Sequence, residues 1–173
     1  MGDETSKATA AGLFRRLAAL LYDLMLVVAL AFVVTFAMLP LTRGEAILTS
    51  TQGFTGRLYH ALVFAVVFGY FGWCWTRTGQ TLGLKAWRMR LMSEIGGRLG
   101  WAGAAGRFLL GGGIAVLAIL GLWYLRAPGT GLARTAAALL IAPAALNYLW
   151  IVVDPEKRSL LELAGRTRVV RLG

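Results

Sequence analysis

Leu17-Ala18-Ala19-Leu20-Leu21-Tyr22-Asp23-Leu24-Met25-Leu26-Val27-Val28-Ala29-Leu30-Ala31-Phe32-Val33-Val34-Thr35-Phe36-Ala37-Met38-Leu39 is an apolar run with one charged residue, Asp23, inside it. A bilayer hydrocarbon core about 30 Å thick is crossed by about 20 helical residues rising about 1.5 Å each, and this run has that length. It stops at Pro40, with the polar Thr42-Arg43-Gly44 beyond, as a helix end should. The first ten residues are polar and small and lack the short apolar core and cleavage site of a secretory signal, so the run is expected to be a retained span.

Three further stretches repeat the pattern: residues 58–75, rich in Val and Phe with Tyr59 at one end and Trp73 and Trp75 at the other, then 108–125 and 132–153. Aromatic residues at run ends are the mark of membrane interfaces. The linker Arg126-Ala127-Pro128-Gly129-Thr130-Gly131 is short enough to join an antiparallel pair. The chain has 173 residues, 58% of them hydrophobic, and a mean hydropathy of +0.67. A soluble domain of this size has too little interior to hide that much apolar surface. The expected fold class is therefore an all-α polytopic membrane protein, a single domain over 1–173 with four transmembrane helices (about 17–39, 58–75, 108–125 and 132–153), a short interfacial, β-hairpin-like connection within 76–107 and a strand-like tail over 154–173.

The net charge of +10 would suit nucleic acid if it formed one basic surface, but the charges lie between the apolar runs. They are better read as topology signals and contacts to anionic lipid headgroups. Lys7, Arg15 and Arg16 precede the first run; Arg77, Lys85, Arg88, Arg90, Arg98 and Arg107 fill the middle connection; Lys157, Arg158, Arg166, Arg168 and Arg171 fill the tail. Only Arg43, Arg57, Arg126 and Arg134 of the 18 Lys and Arg residues lie in the other two connections. Positive residues are retained on the cytoplasmic side, so a multi-pass protein of the bacterial inner membrane with both termini and the middle connection in the cytoplasm is expected.

Within that connection Trp87-Arg88-Met89-Arg90-Leu91 alternates and runs into Glu94-Ile95-Gly96-Gly97, the pattern of a short strand entering a turn. The tail alternates again over Thr167-Arg168-Val169-Val170-Arg171-Leu172 and could pair with it at the membrane surface.

A carboxylate seven residues into a span is expensive unless it is paired or protonated. Arg16 and Asp23 are close to two helical turns apart and share a face. Asp23 can be a proton- or cation-binding carboxylate, or it can pin neighbouring helices together. Asn147, four residues after Pro143, is the other polar group at depth and a candidate companion of Asp23 along an ion path; a kink with an interhelical hydrogen bond is the simpler reading. Gly111-Gly112-Gly113 lacks the Lys-Ser or Lys-Thr that would make it a phosphate loop. The single Cys74 and single His60 offer no disulfide framework and no metal ligand set, so no metal or cofactor is expected. No Ser/His/Asp set and no paired carboxylates at one depth are present, which disfavours a conventional hydrolytic enzyme.

Three stretches together resemble the RDD family of bacterial membrane proteins, named for an arginine and two aspartates. Phe14-Arg15-Arg16-Leu17-Ala18-Ala19-Leu20-Leu21-Tyr22-Asp23 resembles the family's opening helix, with Arg16 (or Arg15) as the arginine and Asp23 as the first aspartate. Gly79-Gln80-Thr81-Leu82-Gly83 resembles its Gly-Gln-Thr-Leu-Gly segment, the most specific of the three, whose glycines suit a tight interfacial turn. Ser159 to Val170 resembles its tail, with departures: Glu162 stands where the second aspartate is expected, Leu161 replaces a histidine, and Arg166 replaces the glycine before Thr167.

The resemblance implies a largely unassigned activity, with sodium or potassium exchange for protons linked to some members. Two functions are expected from the residues and the resemblance together. One is a helper or assembly module, not an enzyme, in which Arg16, Asp23 and Glu162 form a structural charge network and the partner is a membrane protein or a second copy of the chain. The other is a monovalent cation/proton exchanger working through Asp23.

Overall fold

The computed structural model describes residues 9–42, 53–126 and 131–172. In chain order these form β1 (Thr9–Ala10), α1 (Leu13–Met38), α2 (Phe54–Arg77), α3 (Leu82–Ala86), β2 (Met89–Ser93), α4 (Trp101–Arg126), α5 (Gly131–Val153), α6 (Leu160–Ala164) and β3 (Thr167–Arg171). The helices α1, α2, α4 and α5 are each long and apolar enough to cross a bilayer. Their outward faces require it. Phe36 is 66% exposed and Leu139 is 74% exposed, and dozens of large apolar side chains share that fate, which is tolerable only where the solvent is itself apolar. The chain is a multi-pass membrane protein.

The helix contacts use glycine, aromatic and aliphatic side chains at different pairs of helices. Gly121 of α4 lies so close to α5 that a Cβ there would fall 2.9 Å from the Ala137 carbonyl oxygen and 2.6 Å from Ile141 Cγ1. Backbones approach this closely only through a residue without a side chain. Between α2 and α4, Phe68 and Phe108 meet edge to face at 5.3 Å, and Trp101 covers Gly72. Between α1 and α2, Val34 and Met38 pack with Leu58, Tyr59 and Val63.

At one end of the helices sits an antiparallel sheet in the order β1-β3-β2. The alternations read around Met89 and Val169 do pair, Met89 with Arg171 through Ser93 with Thr167. The connection is therefore not a hairpin closed on itself: its strand pairs with the tail. Met89, Leu91 and Val169 point inward onto Ala11, Ala19, Trp75, Leu99 and Ala104, which plug the ends of the helices. The sheet gathers the segment leading into α1, whose first turn carries Arg15 and Arg16, at the same end as the connection between α2 and α4 and the tail, both rich in Lys and Arg.

Two features differ from the sequence expectation. The third long helix begins at Trp101, not near 108, because hydropathy marks the hydrocarbon slab while the Gly- and Ala-rich turn before it is helical in the interface. Two five-residue helices, α3 and α6, and the two-residue strand β1 are too short to leave a periodic signal. Pro143 lies within α5, inside the expected span. Lys7, Arg43 and most of the linker 126–131 fall outside the described residues.

Candidate functional site

The polar side chains that the apolar environment makes most costly are concentrated where the sheet and the short helices meet the long ones. Arg16, in the first turn of α1, uses all three edges of its guanidinium. Nε donates to the Ala11 carbonyl at 2.9 Å, Nη2 to the Lys157 carbonyl at 2.8 Å, and Nη1 to Glu162 Oε1 at 2.6 Å. Glu162 is fully buried and Arg16 is 9% exposed. The other oxygen, Glu162 Oε2, accepts from the Ser159 amide at 3.1 Å, while Ser159 Oγ accepts from the Glu162 amide at 3.2 Å. This reciprocal capping box starts α6. One carboxylate thus caps a helix and holds an arginine from the opposite end of the chain. The sequence reading set Glu162 at the second acidic position of the RDD pattern, and the longer side chain spans both tasks.

Asp23 takes no part in that pair. It lies about 10 Å farther along α1 by helical rise and turns to α3, where Oδ2 accepts from Thr81 Oγ1 at 2.6 Å and Oδ1 from the Gly83 amide at 2.9 Å. Thr81 Oγ1 in turn accepts from the Leu84 amide at 3.2 Å and caps α3. The expected network of Arg16, Asp23 and Glu162 is therefore two separate clasps, because a second α1 turn brings Asp23 against a different helix. The carboxyl group is satisfied here by a hydroxyl and a backbone amide.

Asn147 of α5 is 5% exposed, and its Oδ1 accepts from the Leu161 amide at 2.8 Å. It ties the fourth long helix to α6, not to Asp23, so the two residues proposed for one ion path serve different junctions. Of the interfacial motif, Gly79 has φ of +70° and ends α2 with its amide on the Cys74 carbonyl at 2.9 Å. Its own carbonyl accepts from Leu91 at 2.7 Å, and Gln80 Nε2 donates to the Met89 carbonyl at 2.7 Å. Gly83 is needed for close approach, not for a turn: a Cβ on it would collide with the Ala19 carbonyl and the Asp23 carboxyl.

Two features were not singled out in the sequence. Arg107 of α4 donates through Nη1 to Thr167 Oγ1 at 2.8 Å and lies 5.7 Å over the Trp75 ring, joining α4 to β3 and α2. At the exit of α5, Asp154 Oδ2 accepts from the Arg158 amide at 2.9 Å and from Arg158 Nε at 3.3 Å. The Arg158 amide, followed by the guanidinium, holds the Asp154 carboxyl below the usual carboxylate range, and Asp154 holds the Arg158 pKa up. In both cases a charge alone gave no sign of its partner. Among the described residues there is no group of three or more His, Cys, Asp or Glu side chains placed to hold a metal. His60 Nδ1 is engaged with the Gly56 carbonyl at 2.7 Å.

No match was found among curated proteins or among solved structures. The model of the RDD family does match, over residues 10–165, a span that runs from β1 through Arg16, Asp23 and the Gly79–Gly83 motif to the end of α6. With both clasps and all four long helices inside that match, the chain belongs to the RDD family.

Proposed function

We propose that this protein is a non-enzymatic assembly module of the bacterial inner membrane, in which two polar clasps hold a cytoplasmic cap rigidly on a four-helix bundle. The observation that carries this reading is how the costly polar groups are spent: Asp23 on Thr81 and Gly83, Glu162 on Arg16 and Ser159, Asn147 on Leu161. Each joins a long helix to the cap, or begins a cap helix. A transport site needs a carboxylate that exchanges partners with the solvent on one side and then the other. A clasp needs the opposite, a fixed partner.

Both termini and the 76–107 connection belong on the cytoplasmic side, in keeping with the gathering of the Lys- and Arg-rich segments at the sheet end. The rigid cap and its basic rim would serve as the platform for a membrane-protein partner, a second copy of the chain, and anionic headgroups beneath it.

The test is proton flux driven by sodium or potassium gradients in proteoliposomes, comparing the native chain with Asp23→Asn at equal reconstitution. Flux at the level of empty liposomes in both is the expected result. Robust flux in the native protein that disappears in Asp23→Asn, with the fold intact, would replace the module with a cation/proton exchanger.

A further inference from the structure

The face of the sheet turned away from the helix ends carries a cleft that neither clasp uses. With Met89, Leu91 and Val169 pointing inward, Arg90 opposite Val170 and Met92 opposite Arg168 point outward. The turn after α5 reaches over them and leaves a half-open cavity of about 360 Å³. Met92, Val170 and Leu172 give it an apolar lining, and its charged lining is three arginines, Arg90, Arg158 and Arg168, against two carboxylates, Glu94 and Glu156.

The arginines are not equivalent. Arg168 is paired with Glu156 at 2.9 Å, and Arg158 with Asp154 at 3.3 Å and Glu94 at 3.4 Å. Arg90 has no carboxylate partner and makes no side-chain hydrogen bond among the described residues, and its Nε is buried without an acceptor. Its stem is fixed by Gly79, where a Cβ would fall 3.1 Å from Arg90 Cγ. The interfacial glycine leaves room for the stem of an arginine whose guanidinium has no carboxylate partner at the wall of a cavity. A buried polar group left unsatisfied is a place to look for a missing ligand.

We infer that this cleft binds a small organic phosphate, its oxyanion on Arg90 and its carbon skeleton over Met92, Val170 and Leu172. The planar guanidinium fork matches phosphate geometry. A doubly charged phosphate can also draw on Arg158 and Arg168, whose acids only partly occupy them. The volume is at the lower end for small-molecule sites and too small for a folded partner. The outward face points to a ligand arriving from water, although a lipid headgroup offers the same phosphate chemistry. The Lys157 carbonyl held by Arg16 belongs to the same turn that carries Arg158, so a bound phosphate braces the α5–α6 junction from its other side. This goes beyond the assembly reading and does not depend on whether Asp23 carries ions.

The test is titration of the purified full chain in detergent with glycerol 3-phosphate, with inorganic phosphate and with sulfate, followed by thermal unfolding. In parallel, the chain is placed in nanodiscs of phosphatidylcholine with and without phosphatidic acid. A saturable stabilisation by glycerol 3-phosphate is expected, weakened about tenfold or more in Arg90→Gln and unchanged in Arg171→Gln, which lies off the cleft. Leu172→Trp, which fills the cleft with Arg90 intact, should abolish the response even if Arg90→Gln does not fold. Stabilisation that depends on Arg90 but appears only with phosphatidic acid assigns the same site to a lipid phosphate. No response to either source, or a response that sulfate reproduces and that survives both Arg90→Gln and Leu172→Trp, would overturn the inference.

Discussion

The amide of Gly83 donates to Asp23 Oδ1 at 2.9 Å from 60 positions away in the chain, and the bond exists because Gly83 has no side chain to keep α3 off α1. A carboxylate inside a span is thereby satisfied by backbone. From this follows a sharp contrast among glycines. Gly83→Ala should lower stability by about 1–3 kcal/mol through forced separation of α1 and α3. Gly112→Ala, in open space on α4, should be neutral or raise it by up to about 1 kcal/mol through helix propensity. Thermal unfolding of the two variants in one detergent checks the sign of each.

Asp23 and Thr81 act as a unit, since the hydroxyl both donates to the carboxylate and accepts from Leu84. Asp23→Ala should cost about 1–3 kcal/mol by leaving the Gly83 amide unsatisfied, and Asp23→Asn less, because its side-chain carbonyl can still accept from that amide. Combining Asp23→Ala with Thr81→Val should cost clearly less than the sum of the single effects. Unfolding free energies of the four proteins decide it, and strict additivity would separate the two side chains.

Much of this architecture is legible in the sequence. Apolar runs mark the four spans because lipid-facing residues need no periodicity, and the alternations over Trp87–Leu91 and Thr167–Leu172 mark the two strands that pair, which the structure bounds at Met89–Ser93 and Thr167–Arg171. The site was legible only as residue types. Asp23 was visible as costly, but its partner Gly83 is a backbone amide, and a backbone amide has no signature in sequence. Arg107 was legible as a topological charge and not as the bridge between Trp75 and Thr167 that it forms. The caps α3 and α6 exist through Thr81 and Ser159, single residues whose capping role depends on the tertiary partners Asp23 and Arg16.

Arg166 sits at φ of +47°, at the position where the resemblance to the family implies a glycine. Left-handed backbone costs a side-chain-bearing residue about 1–2 kcal/mol, part of which glycine returns as unfolded-state entropy. Arg166→Gly should therefore raise stability by up to about 1 kcal/mol, read as a higher unfolding midpoint. Arg166→Ala, still strained, should not.

Asp154 has its pKa depressed in the folded protein by the Arg158 amide and guanidinium. Its contribution is therefore fully present above the ordinary aspartate pKa of about 3.9 and is lost as pH falls through the lower folded value. The gap in unfolding midpoint between the native chain and Asp154→Asn should be constant from pH 7 down to about 5 and close toward pH 2. A gap that stays constant to the lowest pH would show that the carboxylate charge contributes nothing.

The central claim is that the buried charges are structural, and the Arg16–Glu162 pair, at 2.6 Å with the carboxylate fully buried, is where it is most exposed to test. The measurement is a double-mutant cycle of Arg16→Met and Glu162→Gln on unfolding free energy in detergent. Each single change should cost about 3 kcal/mol or more, because it strands the partner in a dry site, and the double should cost little more than either alone. Single effects near zero, or effects that simply add, would contradict the account.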